Sequence, residues 1–211
     1  MTFHRHVHVP RDWYIGGHFI YNFMFFNEHH LTTDTILIEL TDTIRHNAVG
    51  QPGFSFTVGR RINDNWRAEV EAGYLSEFRH KDCDRGTCFN LRMSAPYVSF
   101  NMTYNMLEQN WGWLYAGFGL GFAFTDARVT DGFLNTQGDT TQVSLMPSLM
   151  AGFRTRVSDT WFLDIGYRFS MMNYGRMQYL WVDNASVTQT FTNDIGWVMN
   201  HGFRVGLFYE F

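Results

Sequence analysis

Apolar and polar residues alternate with a period of two along most of this chain, most plainly at its end. From Trp197 to Phe211 the apolar side chains fall at Trp197, Met199, Phe203, Val205, Leu207, Tyr209 and Phe211, with Asn200, Gly202, Arg204, Gly206 and Glu210 between them. Successive side chains of a strand turn to opposite faces, so the pattern predicts one apolar and one polar face. The same alternation recurs in residues 13–26, 54–61, 66–78, 97–105, 113–124, 143–156 and 161–174. In one of these, Trp66, Ala68, Val70, Ala72 and Tyr74 oppose Arg67, Glu69 and Glu71. With the terminal segment they make eight candidate strands.

The connections alternate in length. Short polar turns at Asn63-Asp64-Asn65, near Glu108-Gln109-Asn110 and at Val157-Ser158-Asp159-Thr160 separate longer segments near 27–52, 79–90, 125–142 and 175–195. Tight turns at one end and long loops at the other predict an all-β, eight-stranded antiparallel up-and-down transmembrane barrel in a bacterial outer membrane, with both termini on the periplasmic, short-turn side. A soluble sandwich or lipocalin-like barrel fits less well. The polar faces carry charges at mid-strand, where a dry core rejects them, and Trp, Tyr and Phe gather near strand ends like interfacial girdles. No apolar run is long enough for a membrane-spanning helix.

Composition narrows the picture further. With 211 residues, 45% hydrophobic and 18% aromatic, residues 1–211 suit a single barrel domain. A formal net charge of −4 provides no basic field for nucleic acid. Met1-Thr2-Phe3-His4 opens no basic-then-apolar leader, so a mature form is expected, with residues 1–12 a mobile periplasmic tail. Cys83 and Cys88 flank Asp84-Arg85-Gly86-Thr87, and an oxidising compartment favours a disulfide closing that small loop.

Several segments resemble the opacity-type porin family, a relative of the OmpA-like small barrels. They are Trp66-Arg67-Ala68-Glu69-Val70-Glu71-Ala72-Gly73-Tyr74, the run from Trp113 to Gly121, the run from Ala151 to Trp161, Leu163 to Phe169, and the closing Gly202 to Phe211. The resemblance spans most of the chain from about residue 54 onward and is carried by the order and spacing of these motifs. It implies an eight-stranded barrel with variable surface loops and a terminal aromatic residue recognised by the barrel-assembly machinery. On this chain that signal is the row Phe203, Val205, Leu207, Tyr209 and Phe211. The family includes adhesins, surface antigens and narrow or closed pores, so the fold does not decide the function.

The candidate lumen charges are Arg61, Arg67, Glu69, Glu71, Arg154, Arg156, Asp164, Arg168, Arg204 and Glu210. In so narrow a barrel they are expected to pair across the bore and plug it, because an unpaired buried charge is expensive. The function expected is therefore a structural, surface-antigen or adhesin role through the loops. A narrow porin-like channel for ions or small solutes is the alternative, and a lipid A-modifying enzyme stands third.

No catalytic residue, cofactor or metal is assigned. His4, His6 and His8 alternate in a way that suits chelation, but they fall in the expected tail. His29-His30 lies in a loop, and Cys83, Cys88 and His80 make an incomplete zinc set. His201 points outward without a serine beside it, since Ser170 points inward. The expected partners are outer-membrane lipid and lipopolysaccharide, the assembly machinery, and a host or surface ligand reached through the loops, with the barrel itself a monomer. The loop near 27–52 is unusually apolar, with Leu31, Ile36, Leu37, Ile38, Leu40 and Ile44. It is expected to extend a hairpin or fold over the barrel mouth, where Met171, Met172, Met177, Tyr179, Leu180 and Trp181 would pack on it.

Overall fold

Each alternating segment forms a strand, and its polar face turns inward. The computed structural model describes residues 12–26, 30–33, 49–84, 87–109, 112–131, 136–173, 176–182, 188–194 and 197–211. Its strands are β1 (Trp13–Phe26), β2 (His30–Thr33), β3 (Val49–Arg61), β4 (Trp66–Asp84), β5 (Thr87–Gln109), β6 (Gly112–Asp131), β7 (Thr136–Arg156), β8 (Trp161–Asn173), β9 (Arg176–Val182), β10 (Thr188–Asp194) and β11 (Trp197–Glu210). Eight of them close a barrel in the order β1-β11-β8-β7-β6-β5-β4-β3, every pairing antiparallel, with β3 returning to β1. The remaining three form a separate sheet in the order β2-β10-β9.

The seam joins the first strand to the last, from Tyr14 opposite Glu210 to Phe26 opposite Val198. Beyond the ladder, the Phe211 amide donates to the Trp13 carbonyl at 2.9 Å, so the final residue is still held by β1. Closure matters because hydrocarbon offers nothing to an unpaired strand edge.

The outer face is apolar. Phe19, Phe54, Phe56, Val70, Val98, Phe100, Phe118, Leu120, Phe122, Leu149, Phe203 and Val205 are all exposed on it. Such a surface belongs in lipid rather than water. Aromatic pairs edge the band at the turn end. Trp66 and Tyr104 are register partners with ring centroids 5.0 Å apart, and Trp161 and Tyr209 repeat the arrangement at 5.2 Å. Arg60 lies over the Trp13 ring at 5.3 Å. These amphipathic rings suit a headgroup boundary.

The tight turns follow from their own polar residues. Asn63 Oδ1 accepts from the amides of Asn65 and Trp66 at 3.0 and 2.8 Å, and Ser158 Oγ accepts from the Trp161 amide at 3.2 Å. Short Asn and Ser side chains satisfy backbone donors in this way and set the reversal.

All four expected long loops carry strand: β2 and the start of β3 fall in 27–52, β9 and β10 in 175–195, and the other two are extensions of barrel hairpins. Residues 79–84 pair with 87–92, and 126–131 with 136–141, so the β4–β5 and β6–β7 hairpins run on past the lipid-facing band. Above that band the apolar–polar alternation disappears, and the sequence there looks like loop. Residues 1–11, with His4, His6 and His8, lie outside the described residues, as do His29 and the apolar positions Ile36, Leu37, Ile38, Leu40 and Ile44.

Large inward side chains lie over glycines on the neighbouring strand. Tyr14 is in register with Gly59, Tyr97 with Gly73 and Tyr115 with Gly152. A Cβ on Gly152 would lie 2.5 Å from the Tyr115 hydroxyl and 2.7 Å from the Ile165 carbonyl, and the latter is backbone that does not yield cheaply. Gly152→Ala should therefore destabilise the folded barrel by about 1–3 kcal/mol, as for other overpacked interiors. A lower denaturant midpoint for the refolded variant in detergent is the expected result.

Candidate functional site

Inward parity alone brings the charged residues together. Arg67, Glu69 and Glu71 alternate along β4, so all three face the lumen, and all three are buried. Asp164 and Arg168 do the same from β8, Arg154 from β7, and Arg204 and Glu210 from β11. In the strand order β8 lies diametrically across the ring from β4, so contacts between them cross the whole bore.

Two carboxylates on β4 organise the layer. Glu71 accepts from both terminal nitrogens of Arg168, one of them at 2.9 Å, in a bidentate pair. It also accepts from Tyr97 Oη at 2.7 Å, Asn101 Nδ2 at 3.1 Å and Arg204 Nη1 at 3.4 Å. Glu69 accepts from Arg154 Nη2 at 2.6 Å and from Tyr14 Oη at 2.7 Å. Arg154 is held on its other side by its register partner Asp164, at 2.5 Å from Nε to Oδ2. Tyr115 Oη links the two halves, donating to Asp164 at 2.9 Å and accepting from Arg204 Nη2 at 3.2 Å. His18 brings Nε2 to 3.5 Å from Asp164.

Nearer the tight turns, Glu210 takes Arg61 at 3.1 Å and Arg67 at 3.5 Å. Arg61 is half-buried at the barrel end. Arg67 also stacks over the Trp113 ring at 4.7 Å. Arg156, grouped with the lumen set by its parity, is exposed at the end of β7 and stands outside the network. Two residues past Arg154 toward the turn are enough to leave the bore.

The charged layer is closed on both sides. Toward the turns, Tyr14, Trp113, Phe162 and Phe208 form a buried aromatic cluster, with Phe162 and Phe208 stacked at 5.1 Å. Toward the loops, Ile20, Met24, Leu75, Phe78, Met93, Met146 and Met172 belong to a second buried apolar cluster. The expected polar lumen is thus charged only in its middle; above, the apolar cluster shares the bore with buried Asn22, Gln51, Thr125, Ser144 and Asn200. There Met24, Met93 and Met146 take inward positions among polar ones, so the contrast between the two faces of the upper strands is weaker. An eight-stranded barrel is just wide enough for side chains to fill it.

The sequence did not single out Tyr14, Tyr97, Tyr115 or Trp113, although each has the inward parity of its strand. Counting parity from His18 on β1, Ser99 on β5 and Gly119 on β6 would have found them. The predicted assembly row of Phe203, Val205, Leu207, Tyr209 and Phe211 lies exposed along the outer face. Cys83 and Cys88 are register partners at the tip of the β4–β5 hairpin, and their side chains lie outside the described residues, as do those of Met177, Tyr179, Leu180 and Trp181. His201 faces outward with Nδ1 at 2.5 Å from Tyr167 Oη, between the rings of Phe25 and Phe169. Ser170 is buried inward opposite Asn200, on the other face from His201.

Residues 8–211 match the family model described as outer membrane protein beta-barrel domain. A comparison with curated proteins gives no match. Among solved structures, the chain is similar to the outer membrane protein OprG from Pseudomonas aeruginosa, with a TM-score of 0.58 at 15% identity over 96% of each chain. It is also similar to a major outer membrane protein from Thermus thermophilus, with a TM-score of 0.54 at 11% identity over 92% of this chain and 99% of that one. Neisserial surface protein A gives 0.50 at 16% identity over 94% and 97%. At such identities the likeness is one of fold.

Removing one partner of a buried pair leaves the other charge uncompensated. Glu71→Gln should cost about 3–5 kcal/mol of stability, because it strands Arg168 and Arg204 together. Glu77→Gln, which breaks an exposed pair with Arg79 on the outer face, should leave the unfolding midpoint nearly unchanged. Denaturant titration of both refolded variants compares them directly.

Proposed function

The chain belongs to the outer membrane protein beta-barrel domain family, and from that premise we propose that it is a surface-displayed structural barrel whose lumen does not conduct. One observation carries this reading. Three buried arginines, Arg154, Arg168 and Arg204, meet three buried carboxylates, Glu69, Glu71 and Asp164, between two apolar clusters, and Arg67 pairs with Glu210 at the turn end. The charges neutralise one another, and an apolar cluster narrows the bore on each side of them.

In this reading both termini and the tight turns face the periplasm, and the extended β4–β5 and β6–β7 hairpins stand at the cell surface with the β2–β10–β9 sheet. Recognition of a host or other surface ligand is assigned to these projections. The barrel works as a monomer without catalysis. The outward row ending at Phe211 is what the assembly machinery reads. The cross-strand placement of Cys83 opposite Cys88 supports a disulfide at the hairpin tip.

A narrow channel is the second reading. It is favoured by inward hydroxyls in the middle layer, at Thr57, Ser99, Thr103 and Ser148, which find no hydrogen-bond partner among the described residues. A water-filled path would satisfy them. The apolar cluster above them counts against continuity of that path.

Planar-bilayer recording of the refolded protein is expected to show no steady unitary current. A stable, sizeable single-channel conductance would overturn the closed reading in favour of the channel. An epitope inserted at residues 85–86 should be labelled on intact cells, and labelling only after permeabilisation would reverse the orientation. For the cysteines, alkylation of the unfolded, unreduced protein should modify neither Cys83 nor Cys88, and both after reduction.

A further inference from the structure

Above the lipid-facing band, three arginines stand side by side on the outside of the barrel. Arg79 on β4 is in register with Arg92 on β5, and Arg92 with Arg128 on β6. All three side chains are exposed. Register partners share a face of the sheet, and like charges set opposite one another destabilise a strand pair. The row therefore works against the sheet that holds it unless an anion relieves it.

Its height is set by the strands. On β6 the outward positions run Phe122, Phe124, Asp126, Arg128, and on β5 they run Phe100, Val98, Pro96, Ser94, Arg92. On β4 the register irregularity between Leu75 and Phe78 leaves Phe78 buried and Arg79 outward. Four residues at about 3.3 Å each, on a strand tilted roughly 40°, lift Arg128 about 10 Å beyond Phe124. That is the depth of headgroups above acyl chains.

Carboxylates flank the row without consuming it. Arg79 Nε donates to Glu77 at 2.8 Å, and Arg128 lies 3.9 Å from Asp126. The Glu77 carboxyl is held below its ordinary range by the hydrogen bond from Arg79 and by the charges of Arg79, Arg92 and Arg128. Three guanidiniums thus act on a single patch. Arg92, at its centre, pairs with no carboxylate among the described residues.

We propose that Arg79, Arg92 and Arg128 bind the phosphate groups of a lipopolysaccharide molecule in the outer leaflet, whose acyl chains lie over Val98, Phe100, Phe122 and Phe124. A planar guanidinium takes phosphate oxygens two at a time. Strands about 4.8 Å apart present neighbouring guanidiniums to more than one phosphate of a single headgroup. Apolar surface directly below distinguishes this site from one for a soluble polyanion. The assignment rests on the hairpin ends facing the cell surface, as proposed above.

The test uses the refolded full chain in neutral detergent, titrated with purified lipopolysaccharide, with the same material after dephosphorylation, and with heparin as a soluble sulfated polymer. The wild type should bind the phosphorylated form at least about tenfold more tightly than the dephosphorylated one, and the triple variant Arg79→Gln, Arg92→Gln, Arg128→Gln should lose that preference. Faster migration of unheated samples on gels verifies that the variant is folded. If the triple variant does not fold, Arg92→Gln alone should still weaken the preference several-fold. Equal preference in wild type and folded variant overturns the site, as does wild-type indifference to dephosphorylation. Tighter binding of heparin than of lipopolysaccharide overturns it in favour of a polysaccharide surface. Binding in detergent does not depend on the direction of insertion, so a failure of orientation shows only in the epitope labelling.

Discussion

A bilayer core supplies no hydrogen-bond partner for a peptide group, so each backbone donor and acceptor at that depth must find one within the protein. In this chain the requirement is met by pairing β1 with β11 and turning the sheet into a ring. Everything inside follows from the size of that ring. Eight strands leave a bore that side chains fill from wall to wall, and any charge placed there must be matched across it by another. The crossing contacts from β8 and β7 to Glu71 and Glu69 are therefore as much part of the closure as the ladders are. They tie opposite walls together where the backbone ties only neighbours.

The lumen is layered because the two ends face different demands. At the turn end the wall tapers into short reversals, and large aromatic rings with a stacked guanidinium fill the space around Tyr14 and Trp113. In the middle, charge pairing gives specificity of partner, since each carboxylate receives a phenol as well as a guanidinium. Toward the loops, methionines and small residues take over. Flexible thioethers fill irregular space without requiring a partner.

How legible this was in the sequence depended on whether the two faces of a strand differ. Where Arg67, Glu69 and Glu71 alternate with Trp66, Ala68 and Val70, strand, parity and site could all be read at once. The strand count, the tight turns at Asn63 and Ser158 and the outward terminal row were legible for the same reason. Past Tyr74 and Phe124 the contrast vanishes. At the height of Met93 and Met146 apolar residues stand on both faces, and beyond Arg79 the alternation is lost. The apolar cluster of the upper lumen therefore escapes the pattern, and the projecting hairpins look like loops. Arg156 shows a further limit, since parity says which side a residue faces but not whether the barrel still surrounds it. The arginine row was hidden differently. It depends on which residues stand opposite one another across three strands, and register cannot be read from any one of them.

The glycines set beneath Tyr14, Tyr97 and Tyr115 have a consequence for how such a sequence drifts. In each pair one strand gives up its side chain so that its neighbour's ring has room, and the two positions share one fixed volume. A lineage cannot enlarge the glycine without shrinking the ring, and shrinking the ring first opens a hole and abandons a carboxylate. Substitutions at these sites must therefore arrive in couples, and relatives of this barrel should show paired exchanges between adjacent strands even where their overall identity has fallen very low.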